Sequence, residues 1–152
     1  MGKFLECLRI ILCMFGYFMA YYVSAAASLL WITGFVVVPL TFLSGLEGMF
    51  FSSTSMVGKD WGETKNRFAI QGRLNFFAIS ITAILVLIFK MNLQAQLTIC
   101  LVAYIFFGLS SINHLISYIK DKASGIQLER FMLTVALWAG FIPLLLRVKP
   151  LL

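Results

Sequence analysis

From Phe4 to Phe51 the chain is an almost unbroken apolar run whose charged residues are Glu6, Arg9 and Glu47 alone. About 47 residues of continuous helix would be roughly 70 Å long at 1.5 Å per residue, more than twice a hydrocarbon core of ~30 Å. In a membrane such a run must either reverse or tilt steeply. A reversal at Ser24-Ala25-Ala26-Ala27-Ser28 makes two spans. The competing reading is one long, tilted helix kinked at Pro39. The Ala-rich stretch offers neither Gly nor Pro to turn the chain.

Three further apolar runs, at about 68–90, 95–119 and 128–147, join the first two at about 5–24 and 27–49. The chain is 61% apolar and 12% charged, against about 45–50% and 25% for soluble domains. This excludes a water-soluble globule and a disordered chain. The expected fold is an all-α polytopic transmembrane helix bundle of five spans, one integral membrane domain over residues 1–152. Cleavage of the first segment, or its continuity with the second, would leave four.

Charge distribution selects among these topologies, because cytoplasmic flanks carry an excess of Lys and Arg. Five spans place Lys3, Arg9, Lys59, Lys65, Arg67, Arg73, Lys120, Lys122 and Arg130 on one side and Lys90, Arg147 and Lys149 on the other. Four spans split the same residues nearly evenly. The five-span reading puts the N-terminus in the cytoplasm and the C-terminus outside. Lys3, Arg9, the apolar stretch and Ala25-Ala26-Ala27 also imitate a secretory signal peptide; the favoured expectation is a retained helix. The net charge of +6 then points to anionic headgroups rather than nucleic acid, with Lys59, Lys65, Arg67, Lys120, Lys122 and Arg130 as candidate headgroup contacts.

Five spans bring the scarce intramembrane polar groups to one level. Glu47, Arg73 and His114 each lie roughly 7–9 Å inside a helix end on the cytoplasmic side, with Gln71, Asn75, Asn113 and Ser117 in the same layer and Glu6, Arg9, Glu129 and Arg130 just above it. Ionisable groups within spans face the bundle interior and find partners. The predicted cluster is Glu47, Arg73, Asn75, Asn113 and His114, with Glu47 and Arg73 as an ion pair. The plain reading is that these groups lock the helices together. The functional reading is a cytoplasm-facing pocket for a lipid headgroup or small amphipathic ligand.

Cys7, Cys13 and Cys100 have no metal-ligand spacing and read as small hydrophobes. His114 is the sole histidine, which excludes a bis-His haem within one chain. No metal site, cofactor or catalytic motif is indicated. Gly45, Gly48, Gly108 and Ser111 are small enough to allow close helix approach.

From Asn66 onward the chain resembles a family of small bacterial four-helix membrane proteins of unknown function. Asn66-Arg67-Phe68, Gly72, Phe107-Gly108-Leu109, Ser117, Glu129 and Pro143 carry the resemblance, over about residues 66–150. Arg67, Gln71 and Asn75 also resemble part of a motif of the membrane-associated glutathione and eicosanoid enzymes, although Ala78 and Ile79 stand where that motif continues to a glutamate. That second resemblance implies a glutathione-dependent or lipid-modifying enzyme, with a cavity converging on Arg67, Arg73 and Asn75. A small transporter or lipid-binding protein is the other alternative. The primary expectation is a non-enzymatic accessory or scaffold subunit that packs against membrane lipids and other membrane protein chains.

Overall fold

The computed structural model describes residues 2–50, 67–121 and 125–151, with side chains at 4–50, 70–120, 125 and 127–151. They form five helices: α1 (Gly2–Tyr22), α2 (Ala25–Phe50), α3 (Arg67–Ile88), α4 (Leu93–Asp121) and α5 (Gly125–Val148), followed by a single 3-10 turn at Lys149–Leu151. No strand occurs among the described residues. All five helices are long and apolar enough to cross a membrane, and their limits fall within a few residues of the five runs read from the sequence. Large apolar side chains such as Phe4, Met14, Phe18, Leu74, Leu109 and Leu146 stand exposed along their outer faces. Apolar exposure on this scale suits lipid, not water.

The second span is the centre of the bundle. Half of α2 is buried, against 17–33% of the other four helices, and α2 packs on α1, α3, α4 and α5. Its sequence fits that position because small residues let neighbours approach. A Cβ on Gly16 of α1 would lie 2.8 Å from the Phe35 Cβ of α2, so these two backbones are in near-direct contact. Gly45 and Gly48 do the same for α3, receiving the Phe77 ring and the Arg73 stem, and Gly108 receives Trp138 across the α4–α5 contact. Leu29, Ile32, Val36 and Val37 fill the core together with Phe141 and Leu144 of α5.

The reversal between α1 and α2 uses one extended residue, Ser24 (φ −61°, ψ 154°), with Ala27 N–H and Ser28 N–H donating to Ser24 O. No glycine is needed. The carbonyls that the end of α1 leaves without helical partners are met from elsewhere: Arg147 of α5 donates to Ala20 O, Tyr21 O and Val23 O at 3.3, 3.2 and 2.6 Å. Further along α2, Thr33–Val37 is a π-helical turn in which Val38 N–H donates to Thr33 O. Pro39 has no N–H for the carbonyl four residues back. The wide turn just before it accommodates that loss, as π-bulges do, and α-helix resumes over Val38–Phe50.

Candidate functional site

The polar layer divides over two adjacent faces of α2. Residues 44 and 47 share one face at i, i+3, and residues 45 and 48 share another, turned by about 100°. The first face meets α1: Arg9 Nη1 donates to Ser44 Oγ at 2.7 Å and approaches Glu47 Oε2 at 3.4 Å. Ser44 Oγ in turn donates to Leu40 O at 2.6 Å. The second face meets α3, with Phe77 over Gly45 and Arg73 over Gly48. The expected Glu47–Arg73 ion pair is therefore replaced, among the described residues, by Arg9–Glu47. Counting depth along each helix placed Glu47 and Arg73 at one level but did not resolve which face of α2 each neighbour occupies. Arg73 is still interior, 5% exposed, and its Nη2 has no hydrogen-bond partner among the described residues.

Asn75 and Asn113 lie outside this cluster, both exposed on outer helix faces. The geometry of α3 requires it for Asn75: two residues beyond Arg73 is about 200° around the helix, so an inward Arg73 turns Asn75 outward. Arg73 and Asn75 consequently do not converge on a common cavity. Gln71, four residues before Asn75, shares its outward face and is exposed too. His114 is half-buried and shares a hydrogen bond through Nδ1 with Gln127 Oε1 of α5. Among the candidate headgroup contacts, Lys120 is exposed and Arg130 half-buried. The side chain of Arg67, and Lys59, Lys65 and Lys122 altogether, lie outside the described residues.

A cavity of about 140 Å³ opens beside the Arg9–Glu47 pair, and all five helices line it. Its polar wall is Glu6 and Arg9 of α1, Ser44 of α2, Ser110 and His114 of α4, and Arg130 and Thr134 of α5. Its apolar wall is Leu40, Phe76, Phe107, Leu133 and Leu137. Leu133 is 45% exposed, so this wall continues onto the outer face of α5. The volume matches that of an engineered cavity of about 150 Å³ that takes benzene. It suits a headgroup-sized fragment rather than a whole lipid. Arg9, Arg130 and Glu6 thus line the same space as Phe76 and Phe107, so charged and aromatic residues meet at one cavity.

Of these lining residues, Glu6, Arg9 and Arg130 were visible in the sequence as neighbours of the polar layer. Ser44, Ser110 and Thr134 were missed because a lone hydroxyl in an apolar span carries no pattern of its own. Thr134 Oγ1 bonds Arg130 O at 3.0 Å, a common way for such residues to satisfy themselves within a helix. The one signal available was the i, i+3 spacing of Glu6 and Arg9, which puts both on one face of α1.

The α1–α5 seam, which starts at the cavity-wall residue Leu137 and runs away from the cavity, differs in kind. Tyr17 O–H donates to Leu137 O at 2.6 Å, and the Tyr104 hydroxyl bonds the Tyr17 hydroxyl. Tyr21 O–H donates to Gly140 O at 2.7 Å, and the Tyr104 ring stacks on Phe141 at 4.0 Å. With the Arg147 contacts these bonds tie α1 to α5 from mid-span to the end of α1. Among the described residues no group of three or more His, Cys, Asp or Glu is placed to share a metal ion. No family model matches this sequence, and no curated protein or solved structure matches it either.

Proposed function

We propose that this chain is a non-enzymatic membrane protein that seats the polar end of a membrane amphiphile in the five-helix cavity. The observation that carries the reading is the convergence of Arg9 and Arg130 with Phe76, Phe107 and Leu137 around one headgroup-sized space. Guanidinium groups are suited to phosphate and carboxylate recognition, and the exposed side of Leu133 gives an attached chain a route to lipid. With the orientation taken from the basic residues, the cavity faces the cytoplasmic leaflet. The test is lipid mass spectrometry of protein purified in mild detergent. Wild-type protein is expected to retain a phospholipid through washing, and the double change Arg9→Gln, Arg130→Gln to lose it by at least tenfold. Equal retention by both proteins overturns the reading.

A second reading, that the chain is an accessory or scaffold subunit, is favoured by the outward amides of Gln71 and Asn75. Two amides one turn apart on a lipid-facing surface are better satisfied against another helix than against hydrocarbon. Such a subunit co-purifies with a defined larger membrane protein, and Asn75→Leu releases that partner. A clean preparation of this chain alone, unaffected by Asn75→Leu, removes the subunit reading and leaves amphiphile binding untouched.

A further inference from the structure

We infer that α3 carries an interface for a second copy of this chain, in which two α3 helices pair in parallel and Asn75 hydrogen-bonds its own counterpart. The inference is independent of amphiphile binding. It assigns the outward amides to a second copy, where the subunit reading assigns them to a different protein. Gln71, Asn75, Ala78, Thr82 and Leu85 follow one another at intervals of four, three, four and three residues, and all five are exposed. This is the a/d spacing of a coiled coil, with Asn75 and Thr82 at a and Gln71, Ala78 and Leu85 at d. Arg73 and Ser80, at the opposite f position, are buried in the chain's own bundle, so the row faces away from it.

The polar groups of this row differ in what they still lack. Thr82 Oγ1 donates to Ala78 O at 2.8 Å and is satisfied within its own helix, whereas Asn75 makes no hydrogen bond among the described residues. Asn75 lies about 7.5 Å along the helix from Ile70, where the span begins. Its single methylene is too short to carry the amide back to the interface as a Lys or Arg stem does, and an unsatisfied amide in hydrocarbon is costly. A carboxamide is both donor and acceptor, so two copies of Asn75 at equal depth are complementary in partial charge. A different partner would need a polar group of its own at that level. Copies inserted with the same topology present α3 in the same direction, which makes the pairing parallel and in register, the arrangement that an Asn at an a position specifies. Ala78 and Thr82, the next two layers, are small enough to let the backbones close. In a parallel pair each g residue packs beside an e residue of the other helix, and the e side of the row is hollow. A groove of about 470 Å³ between α3 and α4 is lined there by Ile79 and Val86, both at e, with Ala95 and Thr98 of α4 opposite. Leu74 and Ile81 of the second copy, at g and 52% and 54% exposed in the single chain, fill it.

The experiment uses the full chain, labelled at its C-terminus with donor or acceptor fluorophores and reconstituted together into phosphatidylcholine vesicles over a range of protein-to-lipid ratios. Energy transfer is expected to follow a two-copy dissociation curve as lipid dilutes the protein. Asn75→Leu should weaken the association by about tenfold, while Asn75→Gln, which keeps the amide, should retain most of it. Ala78→Phe, which props the two backbones apart, should weaken it with the amide still present. Asn113→Leu, at an outward amide of α4 away from the row, should leave it unchanged, and circular dichroism of each variant verifies that the helices persist. Wild-type copies that do not associate, or an association unmoved by Asn75→Leu, overturn the inference. Equal losses for Asn75→Leu and Asn75→Gln assign the effect to shape and overturn the paired amides. A wild-type chain that purifies in mild detergent with a different membrane protein, released by Asn75→Leu, overturns the second copy and upholds the subunit reading. Lipid retention should be the same in Asn75→Leu and wild type, so amphiphile binding stands or falls on its own test.

Discussion

Arg9 and Arg147 sit towards opposite ends of the bundle and are used differently. Arg147 spends its guanidinium on three carbonyls at the end of α1, a task any well-placed cation donor can perform at a helix C-terminus. Arg9 is held by a buried carboxylate and a hydroxyl at the edge of a cavity. The first arrangement closes backbone hydrogen bonds that the tight turn at Ser24 leaves open. The second keeps a cation beside a space that its neighbours do not fill. The difference is one of partners rather than residue type: a guanidinium saturated by backbone is structural, and one fixed at a cavity wall is available to a ligand.

The largest effect is expected at the cavity end. Glu47→Ala removes the buried partner of Arg9, and breaking such a pair costs about 3–5 kcal/mol because it leaves a charge uncompensated. Denaturation of the purified protein in mixed micelles should show a loss of that size, with lipid retention falling as well. Glu47→Gln, which keeps shape and hydrogen bonding, should cost less than Glu47→Ala. Equal losses for the two would mean that volume, rather than charge, is what Glu47 contributes.

At the opposite end, Arg147→Met should destabilise by about 1–3 kcal/mol through the loss of hydrogen bonds to the carbonyls ending α1. Lipid retention should not change. If Arg147→Met releases lipid as Arg9→Gln does, the two ends are coupled and the contrast between them fails. Tyr104→Phe is a milder probe of the same α1–α5 seam. It deletes one hydroxyl next to Tyr17, with an expected cost of about 1 kcal/mol, again without effect on bound lipid.

How much of this was legible in the sequence follows from the kind of signal each feature carries. The five helices were readable because apolar length is a summed property over about 20 residues. The polar layer was readable in depth, because 1.5 Å per residue fixes how far Glu47, Arg73 and His114 lie from their helix ends. It was not readable in azimuth: which face of α2 meets α1 and which meets α3 depends on Gly16, Gly45 and Gly48 letting particular backbones close. That is why Arg9 rather than Arg73 faces Glu47, and why Asn75 and Asn113 turn outward. The glycine-free turn at Ser24 was opaque for a related reason, since the cation that supports it is Arg147, more than 120 residues away in sequence.

The smallest expected effect has the opposite sign. In the turn between α3 and α4, Lys90 adopts φ 48°, a left-handed conformation that costs a residue with a Cβ about 1–2 kcal/mol. The turn is otherwise well formed: Lys90 N–H donates to Leu87 O, and Asn92 Oδ1 accepts from Ala95 N–H at 2.9 Å to cap α4. Lys90→Gly removes the strain but adds about 0.5–1 kcal/mol of chain entropy to the unfolded state, so the net gain should be about 0.5 kcal/mol. Lys90 belongs to the end of the bundle away from the cavity, so the variant should be slightly more stable and bind lipid as wild type does. A gain in stability accompanied by altered lipid retention would show that the turn reports on the cavity through α3, where Phe76 forms part of its wall, and would replace the division between the two ends with a single coupled unit.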